Sequence, residues 1–451
     1  MSTNLSTESK IFYKSVFALV LPMAIQNLIN VAVTSADVIM LGKVGETALS
    51  GSSLAGQVQF ILTLFFFGLT SGAAILTAQY WGKGDTRTIE IVMGIALRFA
   101  LIVGVIFTAA VLLFPYPIMR IFSPEEDVIR EGARYLRVVA PSYLFMSVTI
   151  IYLNIMRSVE RVIISTVVYL VSLFLNIILN AIFIFGLLGC PAMGIAGAAL
   201  GTTIARGAEL AIVLLYSARN KVVRLRVRDI FVHDKLLLSD FIRYSLPVTL
   251  NELMWGAGIS MNAVIIGHMG SSAVAANSVA QVTRNLATVV AFGIANAAAI
   301  MIGKKIGEND YGRAEDYANR FVKLTLAAGV AGGLIILLVR PIVMATMNVT
   351  PEAHRYMSVM MLIMSYYVIA QAYNTTMVVG IFRAGGDAKF GLIMDVSTMW
   401  GGSILLGAIF AFVFHWSVPA VYAVIMGDEL IKVPLTTLRY KSKKWLRNVT
   451  R

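Results

Sequence analysis

The chain has 451 residues, of which 58% are hydrophobic and only 14% are charged. A soluble domain carries about 25% charged residues, so this composition excludes an ordinary soluble fold and requires a bilayer as solvent. The formal net charge is +13, but the basic residues flank apolar stretches, which favours the membrane surface over nucleic acid as their partner. The single cysteine, Cys190, excludes an internal disulfide.

Twelve apolar stretches follow one another along the chain, and each exceeds the roughly 20 residues that a membrane helix needs. They cover residues 14–41, 48–80, 91–119, 132–156, 162–187, 195–218, 241–267, 273–304, 316–346, 354–382, 391–414 and 418–438. This pattern predicts an all-α integral membrane protein with twelve transmembrane helices.

The distribution of positive charge predicts the orientation in the membrane. Lysine and arginine are concentrated in residues 219–243 and in the tail after 438, whereas residues 188–194 carry no charge and residues 268–272 carry only His268. Loops rich in lysine and arginine stay in the cytoplasm. We therefore predict a multi-pass protein of the inner (cytoplasmic) membrane, with both termini and the long middle loop in the cytoplasm.

The two halves of the sequence resemble each other when the chain is shifted by 225 positions. Pro22 then aligns with Pro247, and Asp85 aligns with Asp310. A repeat of this kind predicts two pseudo-symmetric lobes of six helices in the same topology. Parallel repeats in transporters are related by an axis along the membrane normal, and their substrate sites lie between the repeats near the midplane.

The repeat predicts how the chain is divided. Residues 1–218 form an N-lobe of helices 1–6, residues 219–240 a basic cytoplasmic linker, and residues 241–451 a C-lobe of helices 7–12 with a basic tail. Pro22 and Pro247 lie within predicted helices, where proline frees backbone carbonyls and allows a kink. They are the candidate hinges.

Polar side chains in the first half indicate a cation site. Asp37 lies deep in the first predicted helix, Asn176 and Asn180 share one face of the fifth, and Thr202 lies within the sixth. An ionisable residue inside a membrane helix is expensive and is a functional candidate by default. These oxygens could bind Na⁺, with Asp37 as the metal ligand, or Asp37 could cycle with a proton. The alternative is a hydrogen-bonded network that only joins helices.

The second half has polar residues at other positions. Glu252 follows Pro247 on the seventh helix, Asn374 lies on the tenth and Asp395 on the eleventh, and these three are candidates for cation or substrate binding. Aromatic rings and adaptable methionines suit lipophilic cations, although such residues more often pack against helices or lipid. The predicted substrate cavity is lined by Trp255, Met254, Met261, Tyr366, Tyr367 and Gln371.

Several segments, taken in order, resemble the multidrug and toxic compound extrusion (MATE) family across the whole chain. They are Pro22 with Asp37 and Gly42, the segment Gln79-Tyr80-Trp81-Gly82-Lys83-Gly84-Asp85, and Phe382-Arg383-Ala384-Gly385-Gly386-Asp387. The resemblance implies two lobes forming a V, alternating access, and efflux of lipophilic or cationic compounds in exchange for Na⁺ or H⁺.

The resemblance also implies site residues. The family's N-lobe cation site maps onto Asp37, Asn176, Asn180 and Thr202, and its C-lobe acid maps onto Glu252. Many members carry an acid at the position of Asn180, and some carry an aspartate on the tenth helix, where this chain has none.

Soluble-enzyme chemistry is missing from the sequence. There is no phosphate-binding glycine loop, and the four histidines fall in loops or at helix ends without metal-ligand spacing. We expect no catalytic residues, no cofactor beyond the coupling ion, no nucleic-acid partner, and a monomer. One rival is a flippase for lipid-linked saccharides, which needs a strongly cationic cavity, whereas the mid-membrane charges here are predicted to be acidic. Another is a membrane-embedded enzyme, which needs clustered acids or histidines at one membrane face.

Overall fold

A computed structural model describes residues 2–347 and 349–451, with side chains from residue 8 onward. These residues form helices and no strand. The helices before the middle loop are α1 (Ser2–Val44), α2 (Glu46–Lys83), α3 (Thr86–Leu113), α4 (Pro115–Phe122), α5 (Glu126–Ser158), α6 (Ile163–Phe185) and α7 (Ile195–Arg219). The remaining helices are α8 (Val227–Ile230), α9 (Lys235–His268), α10 (Ser271–Gly307), α11 (Tyr311–Thr346), α12 (Pro351–Thr375), α13 (Ala388–Thr398), α14 (Leu405–Phe412), α15 (Val418–Ile425) and α16 (Asp428–Lys441). Two π-helical segments, Thr376–Phe382 and Met399–Ile404, follow α12 and α13.

Ten helical segments within the described residues are long and apolar enough to cross a membrane, which confirms the predicted all-α membrane fold. Helix α9 is not among them, because polar residues such as Asn251, Glu252 and Asn262 interrupt its apolar sequence. The predicted continuous helix over 418–438 is also interrupted. It breaks at Met426 and Gly427 into α15 and α16, each too short to span alone.

The predicted repeat is confirmed by where the helices begin. Four pairs of helices start 225 positions apart: α2 and α10, α3 and α11, α5 and α12, and α6 and α13. In the pair α3 and α11, an aspartate precedes both helices and caps them. Asp85 accepts a hydrogen bond from the Thr88 N–H at the start of α3, and Asp310 accepts one from the Arg313 N–H at the start of α11. An aspartate at this position satisfies an amide that the helix leaves unpaired.

The chain forms two compact units that exchange short segments. The amino-terminal unit contains Ile25–Thr77 and Gly84–Thr249, and the carboxy-terminal unit contains the chain through Ala24, Ala78–Lys83 and Leu250–Arg451. Helices α1 and α9 therefore change unit two residues after Pro22 and Pro247, respectively. The predicted division into lobes at 218 and 241 stays a prediction.

Within the carboxy-terminal unit, the end of α2 packs closely against the end of α10. A Cβ atom on Gly82 would lie 2.0 Å from the carbonyl oxygen of Lys304, and one on Gly307 would lie 1.8 Å from that of Gln79. Positions 82 and 307 are related by the repeat, and so are 79 and 304. Each contact therefore has a reciprocal counterpart, as at a two-fold axis.

The middle loop is not a free linker, because it packs onto α3 within the amino-terminal unit. Arg87 binds both carboxylate oxygens of Asp229 on α8, at 2.6 and 2.8 Å. Arg98 donates to the carbonyl of Val232 at 2.8 Å, and a Cβ on Gly94 would lie 2.3 Å from the carbonyl oxygen of Asp229. The loop segment around Asp229 is therefore held at a fixed place beside the first half of α3.

Candidate cation and substrate sites

The four residues of the predicted N-lobe site lie together in the amino-terminal unit. Asn180 on α6 donates from Nδ2 to Oδ1 of Asp37 at 2.5 Å and to Oδ1 of Asn176 at 3.2 Å. Asn176 in turn donates from Nδ2 to Oγ1 of Thr202 on α7 at 3.3 Å. Helices α1, α6 and α7 thus contribute one hydrogen-bonded ladder, and among the described residues Asp37 forms no ion pair.

One oxygen of this ladder has no donor. Oδ1 of Asn180 is buried and has no hydrogen-bond partner among the described residues. It faces Gly201 on α7, where a Cβ atom would lie only 2.3 Å away. A buried acceptor without a donor costs about 1–3 kcal/mol. A carboxylate, amide oxygens and a hydroxyl are ligands that a hard cation such as Na⁺ prefers, so these side chains fit that ion.

Two further residues, Tyr135 and Arg206, lie near this site, and the sequence analysis predicted a role there for neither. Tyr135 on α5 lies near Thr202 and packs against the apolar cluster that includes Leu41. Arg206 lies one turn beyond Thr202 and pairs with Glu209 at 2.9 Å, so its charge is balanced within α7. No pattern in the sequence indicates Tyr135, because only tertiary packing brings α5 next to Thr202.

The acid of the predicted C-lobe site is already paired. Glu252 on α9 accepts a hydrogen bond from Nη2 of Arg383 at 2.8 Å, and the two side chains are 13% and 4% exposed. The sequence predicted Glu252 as a cation-binding acid without assigning this partner. Next to Glu252 in the chain, Asn251 donates to Oδ2 of Asp395 at 2.9 Å.

The other two C-lobe candidates belong to a buried cluster around Lys432 on α16. Its ammonium lies 3.2 Å from Asp395, 3.0 Å from Asp428 and 3.3 Å from Glu429. Asn374 donates to Oε2 of Glu429 at 2.8 Å. Asn374 and Asp395 are therefore brought together with Lys432 rather than with Glu252. Among the described residues, no group of three or more His, Cys, Asp or Glu side chains is arranged to hold a metal ion.

A cavity of about 170 Å³ lies within the carboxy-terminal unit, and it contains two of the six predicted cavity residues, Trp255 and Tyr367. The other four lie outside its lining. The carbonyl of Met254 accepts from the indole of Trp400. Tyr366 is 64% exposed and Met261 38% exposed, whereas Gln371 is buried.

The sequence missed a polar stripe that faces this cavity. Asn277, Gln281 and Arg284 lie on one face of α10, at helical spacing, and all three line the cavity. Arg284 lines the cavity, and Lys432 lies among the acids Asp395, Asp428 and Glu429, so this unit carries basic as well as acidic side chains. The spacing of the three polar residues in an Ala- and Val-rich helix was the signal that could have identified them.

Comparison with known proteins identifies the family. The MatE family model matches residues 22–182 and 250–413, one match in each half of the repeat. The chain belongs to the MatE family. It is therefore a multi-pass membrane transporter of the MATE multidrug efflux family, as the sequence motifs implied.

Relatives of the MatE chain match over most of their length. YoeA of Bacillus subtilis, a probable multidrug resistance protein, is 24% identical over 397 residues, covering 86% of this chain and 85% of the relative. NorM of Thermotoga maritima, also a probable multidrug resistance protein, is 23% identical over 433 residues, covering 96% and 93%.

Two solved structures share the fold. The Vibrio cholerae MATE transporter VcmN in its bent form has a TM-score of 0.87 at 18% identity, covering 98% of this chain and 100% of that one. A Pyrococcus furiosus transporter of the MOP superfamily has a TM-score of 0.86 at 20% identity and covers 95% of both chains. That structure is described as having a binding pocket of reverse polarity.

Proposed function

We propose that this MatE protein is a secondary antiporter that exports lipophilic or cationic compounds in exchange for Na⁺ or H⁺. The observation that carries the proposal is the ladder of Asp37, Asn180, Asn176 and Thr202, in which a membrane carboxylate has hydrogen bonds but no ion pair. A partly buried acid without an ion-pair partner gains free energy from binding a cation or a proton.

The ladder supports coupling through the N-lobe rather than through Glu252. Glu252 is neutralised by Arg383, and Asp395 shares the ammonium of Lys432. Asp37 has no such partner among the described residues, and the unpartnered oxygen of Asn180 offers a second ligand beside it. The coupling ion would enter here and bias the transporter toward one of its states.

Two features support bending as the coupled motion. Pro22 and Pro247 lie inside α1 and α9, which are the helices that pass from one compact unit to the other. Asp37 is on α1, four turns beyond Pro22. Cation binding at Asp37 would therefore act on the same helix that bends. The proposal includes a monomer with both termini in the cytoplasm.

A flippase for lipid-linked saccharides is the second candidate, because Arg284 and Lys432 supply positive charge in the carboxy-terminal unit. Three carboxylates around Lys432 offset that charge, which argues against a polyanionic diphosphate. A membrane-embedded enzyme receives no support from the site, and MatE family members are transporters.

The test is ethidium efflux from proteoliposomes under separate sodium and proton gradients, with wild type, Asp37→Asn, and the exposed-acid control Glu46→Gln. Efflux driven by one gradient, abolished in Asp37→Asn and kept in Glu46→Gln, would support antiport and name the ion. Efflux that survives in Asp37→Asn would remove Asp37 from coupling. Efflux under neither gradient, with folded protein, would favour the flippase, to be tested with a polyprenyl diphosphate.

A further inference from the structure

The middle loop of the amino-terminal unit presents large apolar side chains on its outer surface. Val227 is 67% exposed and Phe231 is 69% exposed, and the two lie one turn apart at the start of α8 and directly after it. Asp229, between them, is buried, because its carboxylate binds Arg87 on α3. The loop thus buries its acid against α3 and turns a valine and a phenylalanine away from it.

The position of the loop along α3 indicates what covers these side chains. The loop contacts α3 at Gly94 and Arg98. Counting the roughly 20 residues that cross the hydrocarbon core back from Leu113, where α3 ends, reaches Gly94. The exposed large apolar side chains of α3 begin at Ile102, about 6 Å along the helix from Arg98. Helix α8 therefore lies at the edge of the hydrocarbon, at the level of the lipid headgroups.

Basic side chains surround the apolar ones. Arg226 and Arg228 flank Val227, and Lys235 precedes a third exposed apolar side chain, Leu236, and all three basic side chains are exposed. Among the described residues, Arg228 and Lys235 form no ion pair. Exposed apolar side chains interspersed with lysine and arginine are typical of segments that lie in a membrane interface. The positive charges complement the phosphates of anionic lipids.

The repeat supplies a contrast in the second half. Glu90 and Glu315 are 225 positions apart, and each binds the segment that leaves the last helix of its half. Glu90 accepts a hydrogen bond from the Arg224 N–H at 2.9 Å, and Glu315 pairs with Lys443 at 2.7 Å. The second segment then buries its aromatic side chain, because Trp445 is only 1% exposed. The exposed aromatic side chain is therefore particular to the middle loop.

We propose that residues 226–236 form an interfacial anchor that binds anionic phospholipids in the leaflet beside the start of α3. Val227 and Phe231 enter the boundary between headgroups and acyl chains, while Arg228 and Lys235 bind lipid phosphates. The partner is a lipid surface rather than a soluble anion, because the apolar side chains gain only from contact with acyl chains. In the proposed orientation this is the cytoplasmic leaflet. The anchor is separate from the coupling site and from the exported compound.

The experiment follows the thermal stability of the purified full chain in detergent as phosphatidylglycerol is added. Phosphatidylcholine is the neutral lipid, and glycerol phosphate is the soluble anion. We expect phosphatidylglycerol to stabilise the wild type at a lower concentration than phosphatidylcholine, and glycerol phosphate to have no effect. Replacing both Arg228 and Lys235 with Gln should raise the half-maximal concentration of phosphatidylglycerol at least about tenfold, since each charge contributes about fivefold, and leave phosphatidylcholine unchanged.

Two control variants change similar side chains elsewhere. Lys43→Gln removes an exposed basic side chain at the end of α1. Leu188→Ser removes an 86% exposed apolar side chain from the uncharged loop between α6 and α7, and is compared with Phe231→Ser. Phe231→Ser should weaken both lipids about tenfold, because it removes the side chain that contacts acyl chains. The two controls should bind both lipids as the wild type does.

A second measurement locates the loop in a bilayer without relying on these variants. A fluorescent label is attached to Phe231→Cys in a Cys190→Ser background, in nanodiscs that contain phosphatidylglycerol. Quenching by a lipid with a nitroxide near its headgroup, and protection from aqueous iodide, is the expected result. The proposal is overturned by quenching from iodide alone, by equal stabilisation from glycerol phosphate, or by control variants that lose as much lipid affinity as the loop variants.

Discussion

Replacing Gly201 with alanine tests the N-lobe ladder without removing any of its polar groups. The new Cβ would lie 2.3 Å from Oδ1 of Asn180 and 3.2 Å from its backbone nitrogen, whereas ordinary contact begins at 3.4 Å. The Asn180 amide must therefore move by about 1 Å, which breaks or bends its bond to Asp37. A hydrogen bond to a charged group contributes about 1.5–3 kcal/mol, so cation affinity should fall about 10- to 100-fold.

The matched control lies on the same helix. At Gly207 the new Cβ would meet only ring carbons of Phe145, the nearest at 3.6 Å, which is ordinary contact. Both substitutions raise helix propensity by a similar amount, about 1 kcal/mol. The assay is the gain in thermal stability on adding sodium or lowering pH, followed by ethidium efflux. If Gly201→Ala and Gly207→Ala behave alike, Asn180 is not part of the coupling site.

Three further predictions concern stability in detergent. Arg383→Gln should lower the unfolding free energy by about 3–5 kcal/mol, because it leaves Glu252 buried without a partner, and adding Glu252→Gln should restore most of the loss. Lys432→Met should destabilise the protein more at pH ~8 than at pH ~5. At pH ~8 the three carboxylates beside residue 432 are charged and repel one another, whereas protonation at pH ~5 relieves this repulsion. Asp85→Ala and Asp310→Ala should each cost about 1 kcal/mol, as loss of a helix cap does.

Each of these outcomes has a clear opposite. A double variant less stable than Arg383→Gln would mean that Glu252 does not depend on that arginine. A stability of Lys432→Met that is independent of pH would mean that its neighbours are neutral in the native protein. No effect at Asp85 and Asp310 would mean that the hydrogen bonds to Thr88 and Arg313 contribute nothing.

The fold could be predicted from local signals, and the structure confirms them. Helix caps and the spacing of apolar stretches are local features, so a single sequence contains them. The aspartates before α3 and α11 are examples. The break at Gly427 was missed, although the apolar sequence of α15 gives way there to the acids Asp428 and Glu429 of α16. Composition predicts burial in lipid but not the continuity of the helix.

In the candidate sites, too, local contacts could be predicted from the sequence and long-range contacts could not. Asn176 and Asn180 are one helical turn apart, so their shared face was predictable, and the family resemblance connected them to Asp37 and Thr202. By contrast, Glu252 and Arg383 are 131 positions apart, and their pairing depends on tertiary packing. Arg284 differs from this pair, because its helical spacing from Asn277 and Gln281 on α10 is a local signal that the sequence contains.

The exchange of segments between the two units has a consequence for biosynthesis. Phe12 is buried, and its ring lies 4.8 Å from that of Tyr317 and 5.2 Å from that of Phe321 on α11. A ribosome makes the first helix long before it makes α11, so Phe12 must leave the ribosome without the rings that later cover it. Lipid or an insertion factor has to hold the start of α1 meanwhile. Ribosome stalling before Tyr317 should therefore leave the beginning of α1 accessible to crosslinkers, even after Ile25–Thr249 has been inserted.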